Sequence, residues 1–122
     1  MSIRETQAWK ALEQQLEGGM REVHLKTLFQ QSPRFETFYL EAAGIQMDLS
    51  KQRWTTEVRE QLLSLAREAG VPEAVQRLLS GERVNHTEDR PALHTALRLP
   101  RDARLEVEGV DVVGEVHATL DK

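Results

Sequence analysis

The stretch Ser80–Arg98, "SGERVNHTEDRPALHTALR", packs Glu82, Arg83, His86, Glu88, Asp89, Arg90, His94 and Arg98 around a few apolar positions. Asn85, Thr87 and Asp89 are all N-cap residue types, so the spacing predicts a helix that begins within "NHTED". Pro91 then falls in the first turn, where a missing N–H costs little. On that helix Leu93 and Leu97 form an apolar stripe with Ala92 and Ala96 beside it. Arg90, His94 and Arg98, spaced i, i+4, i+8, form an adjoining cationic ridge. Glu88 and Asp89 suit the positive end of the helix dipole.

Several chemistries fit such a ridge. Arg90 and Arg98 with a helix N-terminus could hold a phosphate, although structural pairing of arginines with carboxylates is the commoner outcome. A metal site on His86 and His94 lacks the i, i+4 spacing of a helical pair and a third ligand. His94 titrates in the range that acid–base catalysis needs, yet a histidine hydrogen-bonded to backbone is commoner than a catalytic one. His24 and His117 stand alone. Trp9 and Trp54 read as core or interface anchors rather than ligand platforms.

Helical signals precede this stretch. Ser2 and Glu5 have capping-box spacing, Trp9, Leu12 and Leu16 repeat at helical intervals, and Gly18-Gly19 closes a helix running from Ser2 to about Glu17. Val23, Leu25, Leu28 and Phe29 predict a second, short helix. Ser32-Pro33 reads as an N-cap followed by proline at the first helical position. The period then changes: Phe38, Leu40 and Ala42 alternate, as do Ile45, Met47 and Leu49, with Gly44 between them, which predicts a hairpin. Phe35 and Phe38 also fit a helical period, so a helix competes for the first arm. Thr55 or Thr56 caps a helix with the stripe Val58, Leu62, Leu65, Ala66 and Ala69, ended by Gly70. Pro72 opens another, with Val75, Leu78 and Leu79 on one face and Gly81 at its end. After the charged stretch, "RLEVEGVDV" alternates Leu105 and Val107, turns at Glu108-Gly109 and alternates Val110 and Val112. Val113, Val116 and Leu120 then start a helix that stops at Lys122. It reads either as a helix cut off before its fold is complete or as a frayed tail.

The fold class expected from these elements is α+β, predominantly α-helical, with two short hairpins in one unit over residues 1–122. The length suits one domain. A net charge of −4 argues against nucleic acid or an anionic membrane as the main partner. The absence of cysteine excludes a disulfide, a thiolate metal site and a cysteine nucleophile within these residues. No apolar run reaches the ~20 residues of a membrane span, and "MSIRETQAWK" lacks a signal-peptide core, which together imply a cytoplasmic protein.

The charged stretch closely resembles a segment near the start of glucose-6-phosphate isomerases (phosphoglucose isomerases). That family carries Gly-Glu-x-x-Asn-x-Thr-Glu-x-Arg-x-x-Leu-His-x-Ala-Leu-Arg, matched here by Gly81, Glu82, Asn85, Thr87, Glu88, Arg90, Leu93, His94, Ala96, Leu97 and Arg98. "AWKALEQQ", "VHLKTLF", "DLSKQRWTTEVREQLLSLAREAGV" and "LEVEGVDVVGEVHATLDK" resemble the flanking family segments in order. Leu49 stands where the family usually has tyrosine, Gln52 where it usually has asparagine, and Pro91 where it has a small helix former.

The resemblance implies the amino-terminal, largely helical part of a protein several times longer, leading into an α/β/α sugar-isomerase sandwich that is mostly outside these residues. It implies interconversion of glucose 6-phosphate and fructose 6-phosphate by ring opening and proton transfer through an enediol. It also implies no cofactor, no metal, and a cytoplasmic homodimer. The family's catalytic and phosphate-binding groups lie beyond this segment, so no residue here is assigned a catalytic role. Asn85, Thr87, Glu88, Arg90, His94 and Arg98 are expected to be structural. The alternative is a self-contained, non-catalytic helical module that binds a protein partner.

Overall fold

The computed structural model describes residues 2–30 and 33–122. The chain divides into two compact units, one ending at Ala69 and the other beginning at Gly70.

The first unit opens with a 3-10 turn, Ile3–Glu5, held by the expected capping box. Ser2 Oγ accepts from the N–H of Arg4, and the Glu5 carboxylate accepts from the N–H of Ser2 at 3.1 Å. The turn does not run on into one long helix, as the spacing had predicted. Thr6 breaks it with an extended backbone, donates its hydroxyl to Ile3 O at 2.6 Å, and accepts from the N–H of Trp9 at 3.3 Å to start helix α1, Gln7–Glu17. One buried hydroxyl thus closes the first turn and caps the next. The N–H of Ala8 donates to the Glu68 carboxylate at 3.2 Å, which satisfies another free donor of this helix start. Gly18, whose N–H returns to Gln14 O at 2.8 Å, ends the helix.

Helix α2, Leu25–Leu28, is short, as its pattern predicts. Helix α3, Arg34–Phe38, follows with Pro33 at the N-cap itself, one position earlier than expected; the N-cap reading of Ser32 lies outside the described residues. Strands β1, Tyr39–Ala42, and β2, Ile45–Asp48, then pair antiparallel. Both competing readings of this arm hold in turn, helix to Phe38 and strand from Tyr39. Ala43 and Gly44 take φ of 51° and 74°, the positive pair that a tight hairpin turn of the type I′ kind demands. The register places Leu40 opposite Met47 and Ala42 opposite Ile45, an apolar face that stays exposed. Helix α4, Thr56–Glu68, begins at Thr55, whose Oγ1 accepts from the N–H of Val58 at 3.2 Å. It packs against α1, and the Glu68–Ala8 bond brings its last turn to the first turn of α1, so the two run antiparallel.

Arg34 organises the rest of this unit. It is 5% exposed; its Nε donates to Ser50 O at 2.7 Å and its Nη2 to Gln52 O at 2.5 Å. Its guanidinium lies 4.4 Å from the Phe38 ring centre and 5.7 Å from that of Phe29. Burial holds its pKa below the ordinary arginine value. Asp48 shapes the receiving turn by accepting from the N–H of Ser50 at 2.8 Å, and Lys51 sits 3.6 Å from the same carboxylate. The departures at Leu49 and Gln52 therefore fall on residues whose backbone does the bonding. The N–H of Leu49 donates to Phe38 O, and the carbonyl of Gln52 receives Arg34.

The second unit begins with helix α5, Val71–Ser80, bounded by Gly70 and Gly81, both left-handed, with Pro72 in its first turn. Gly81 is required twice over. Its φ is +79°, and a Cβ there would meet Val107 Cγ2 at 2.5 Å. Strands β3, Glu106–Val107, and β4, Val110–Asp111, form the second hairpin around Glu108-Gly109. Asp111 caps helix α6, Val112–Leu120. Ala96, Val112 and Val113 form the core, with Leu93, Leu99, Leu105, Val107 and Val116 packed around it. Helix α6 is not a frayed tail. Arg101 grips Asp121 through both terminal nitrogens at 2.7 and 2.8 Å, and His117 Nε2 lies 3.2 Å from Leu99 O.

The predicted helix over the charged stretch does not form. Residues 86–89 are a turn, closed by backbone bonds of 3.2 Å in both directions between Asn85 and Arg90. Asp89 takes φ of 51°, which ends any right-handed helical run, and Pro91 then disfavours helical geometry at Arg90. Only a 3-10 turn, Ala96–Arg98, follows. Arg90, His94 and Arg98 therefore share no α-helical ridge.

The expected class nevertheless holds: over the described residues the chain is α+β, mainly helical, with two small antiparallel sheets.

Candidate functional site

The charged stretch is built from three linked pieces of the second unit. The first is the Asn85 turn. Asn85 Oδ1 accepts from the N–H of Thr87 at 3.2 Å, the hydroxyl of Thr87 at 3.0 Å and the N–H of Glu88 at 3.3 Å. Its Nδ2 donates to the Glu88 carboxylate at 3.4 Å. One amide thus satisfies two backbone donors and recruits both motif side chains, Thr87 and Glu88.

The second piece is Arg83. Its Nη1 donates to the carbonyl and the carboxylate of Asp89, and its Nε donates to Glu108 Oε1 at 2.5 Å. Asp89 and Glu108 both hold left-handed backbone, so Arg83 ties the tip of the Asn85 turn to the tip of the β3–β4 hairpin at their least relaxed residues. Its hydrogen bonds to Glu108 and then to Asp89 raise the Arg83 pKa, and Arg83 holds the Glu108 carboxyl below its ordinary value. Sequence reasoning missed Arg83. It occupies an unspecified position of the family pattern, and its hairpin partner lies 25 residues away.

The third piece is the segment from His94 to Leu99. His94 is exposed, and its carbonyl accepts from Arg98 Nη1 at 3.0 Å. Neither Arg90 nor Arg98 reaches a carboxylate among the described residues; Asp89, the neighbouring acid, is taken by Arg83. Leu78, Leu79, His94, Thr95, Arg98 and Leu99 line an open groove of about 560 Å³.

This arrangement brings together some of the motif residues and not others. The phosphate reading needed the N-terminus of an α-helix beside Arg90 and Arg98, and the stretch holds only the three-residue 3-10 turn Ala96–Arg98. Among the described residues no group of three or more His, Asp or Glu side chains is placed to hold a metal. Asn85, Thr87 and Glu88 come together around one turn and Arg90 closes it through its backbone, while His94 and Arg98 meet through a carbonyl. Of the tryptophans, Trp9 carries Arg4 over its ring at 5.8 Å, and Trp54 lines a cleft with Leu12, Leu16 and Leu62. No helix among the described residues is long and apolar enough to cross a membrane.

The family model described as phosphoglucose isomerase matches residues 48–122, from the end of β2 through the charged stretch and α6. The chain belongs to this family. Glucose-6-phosphate isomerase 2 of Chromohalobacter salexigens is 56% identical over 97% of the chain. Glucose-6-phosphate isomerase of Frankia casuarinae is 47% identical over 99% of it, and the cytosolic glucose-6-phosphate isomerase of Arabidopsis thaliana 39% over 98%. These matches take in 21%, 22% and 21% of the three relatives, so the chain spans about a fifth of the length of the curated relatives it matches. In this chain, then, the pattern Gly81–Arg98 folds as a closed turn and a short 3-10 turn, with Gly81 seated against the following hairpin.

Proposed function

We propose that this chain serves as the amino-terminal part of a longer, cofactor-independent isomerase that interconverts glucose 6-phosphate and fructose 6-phosphate through an enediol, in glycolysis and gluconeogenesis. The reading takes that enzyme to be a cytoplasmic homodimer. One observation carries it: nearly the whole chain aligns with glucose-6-phosphate isomerases, at 56% identity over 97% of its length in one case.

In this reading the 122 residues contribute architecture and no reacting group. The motif side chains support that division of labour. Asn85, Thr87 and Glu88 are engaged with one another, and the carboxylates of Asp89 and Glu108 are engaged with Arg83. A carboxylate held ionised by a guanidinium is a poor base for a carbon acid, because its basicity is lowered.

The test is a coupled assay on fructose 6-phosphate with the purified 122-residue chain and with the polypeptide of the complete reading frame. The expected result is turnover by the longer polypeptide and none above background by the 122-residue chain. Turnover by the short chain would place catalytic groups within it and overturn the assignment.

A further inference from the structure

Helix α5 has the pattern of a helix that packs and the exposure of one that does not. Val71, Val75, Leu78 and Leu79 recur at i, i+4, i+7 and i+8, yet all of its 10 residues are exposed. A helix of that length is marginal in water by itself, and an amphipathic helix draws most of its stability from covering its apolar stripe. The groove beside it extends the same surface. Leu78, Leu79, Thr95 and Leu99 line it together with His94 and Arg98. Arg98 gives one N–H to the His94 carbonyl and meets no carboxylate among the described residues, and the groove lining contains no acid.

We propose that this groove seats an apolar segment of the same isomerase polypeptide from outside these 122 residues, and that a carboxylate on that segment pairs with Arg98. The inference rests on the reading that the chain works as part of the longer isomerase. Two observations select the occupant. The chain spans about a fifth of its relatives' length, so a cis partner is the nearest supply of apolar surface. A second copy packed about a two-fold axis beside Arg98 would set that guanidinium against its own counterpart, a like-charge contact that disfavours self-pairing.

Amide hydrogen exchange tests this, on the 122-residue chain and on the polypeptide of the complete reading frame. The expected result is that amides of 75–80 and 95–99 exchange at least ~10-fold more slowly in the longer polypeptide. Arg98→Glu and Leu79→Asp, each made in the longer polypeptide, should return those amides towards the short-chain rate, and Arg98→Lys should keep most of the protection. Equal exchange in both polypeptides would overturn the groove while leaving a measured isomerase activity, and so the proposed function, intact. Protection indifferent to Arg98→Glu and Leu79→Asp would overturn it as well. Protection of the short chain that grows with concentration would assign the groove to a second copy instead. A longer polypeptide without isomerase activity would remove the proposed function, with the protection still read independently.

Discussion

Arg34 in the first unit and Arg83 in the second each fasten chain segments far apart in sequence, but in opposite surroundings. Arg34 is buried, stacked on Phe38, and gives its hydrogen bonds to two backbone carbonyls. Arg83 is exposed and gives its bonds mainly to the carboxylates of Asp89 and Glu108. The buried arginine gains from low dielectric, where a charge-assisted hydrogen bond is strong and an abandoned carbonyl is costly. The exposed one gains little from each ion pair, since water and salt screen it, and its value lies in geometry. Arg34 therefore governs stability, and Arg83 sets the shape of a loop.

The sharpest way to break this contrast is to remove the buried member. Arg34→Ala should cost about 3 kcal/mol in urea unfolding, from two charge-assisted bonds and the packed stem. Arg34→Lys should recover only part of it, because an ammonium cannot present two parallel donors to Ser50 and Gln52. A loss no larger than that of a surface arginine would erase the distinction.

Next in size is Gly81→Ala, which attacks the frame that carries Arg83. It forces a left-handed alanine onto Val107, with an expected cost of about 2 kcal/mol, read as a lowered melting temperature. Unchanged melting would show that the hairpin can retreat from α5 freely.

The Arg83 clamp itself should show in pH and salt dependence rather than in bulk stability. Glu108 has its pKa depressed in the fold, chiefly by its hydrogen bond to Arg83. Its contribution is therefore complete above its ordinary value of 4.5 and is lost as pH falls through the lower folded value. Glu108→Gln should remove that acid-side loss and leave neutral-pH melting nearly unchanged at ~1 M salt, where screening has already weakened the pair. An acid limb identical in the variant would show the clamp to be idle. Arg34, with carbonyl acceptors, should contribute nothing to that limb.

The smallest expected effect is a gain. Ala43 sits at φ of 51° in the β1–β2 turn, where asparagine is better tolerated. Ala43→Asn should stabilise the first unit by roughly 0.5 kcal/mol. A loss would mean that this turn is shaped by contacts other than its own backbone.

The sequence pattern made the helices and hairpins legible because their signals are local. Thr55, Gly70 and Gly81 bound α4 and α5 where capping chemistry places them, and Ala43-Gly44 and Glu108-Gly109 turn both hairpins. It failed at Asn85–Arg98 for a physical reason. The residues that start helices by capping free N–H groups also close tight turns with the same bonds. What separates the outcomes here is the left-handed backbone of Asp89, held by Arg83, followed by Pro91. The family was legible through the motif, but its structural use was not. Arg34 escaped notice because its acceptors are carbonyls 16 and 18 residues away, and a carbonyl leaves no mark in a sequence.

The turn that receives Arg34 has a practical corollary for anyone engineering this chain. At Leu49 and Gln52 the fixture is made of main-chain atoms, so a library randomising those two codons should return many folded clones, tyrosine and asparagine among them. Deleting one residue between Asp48 and Arg53 should return almost none, since the spacing of two oxygens, and not the side groups of Leu49 and Gln52, is what the guanidinium measures.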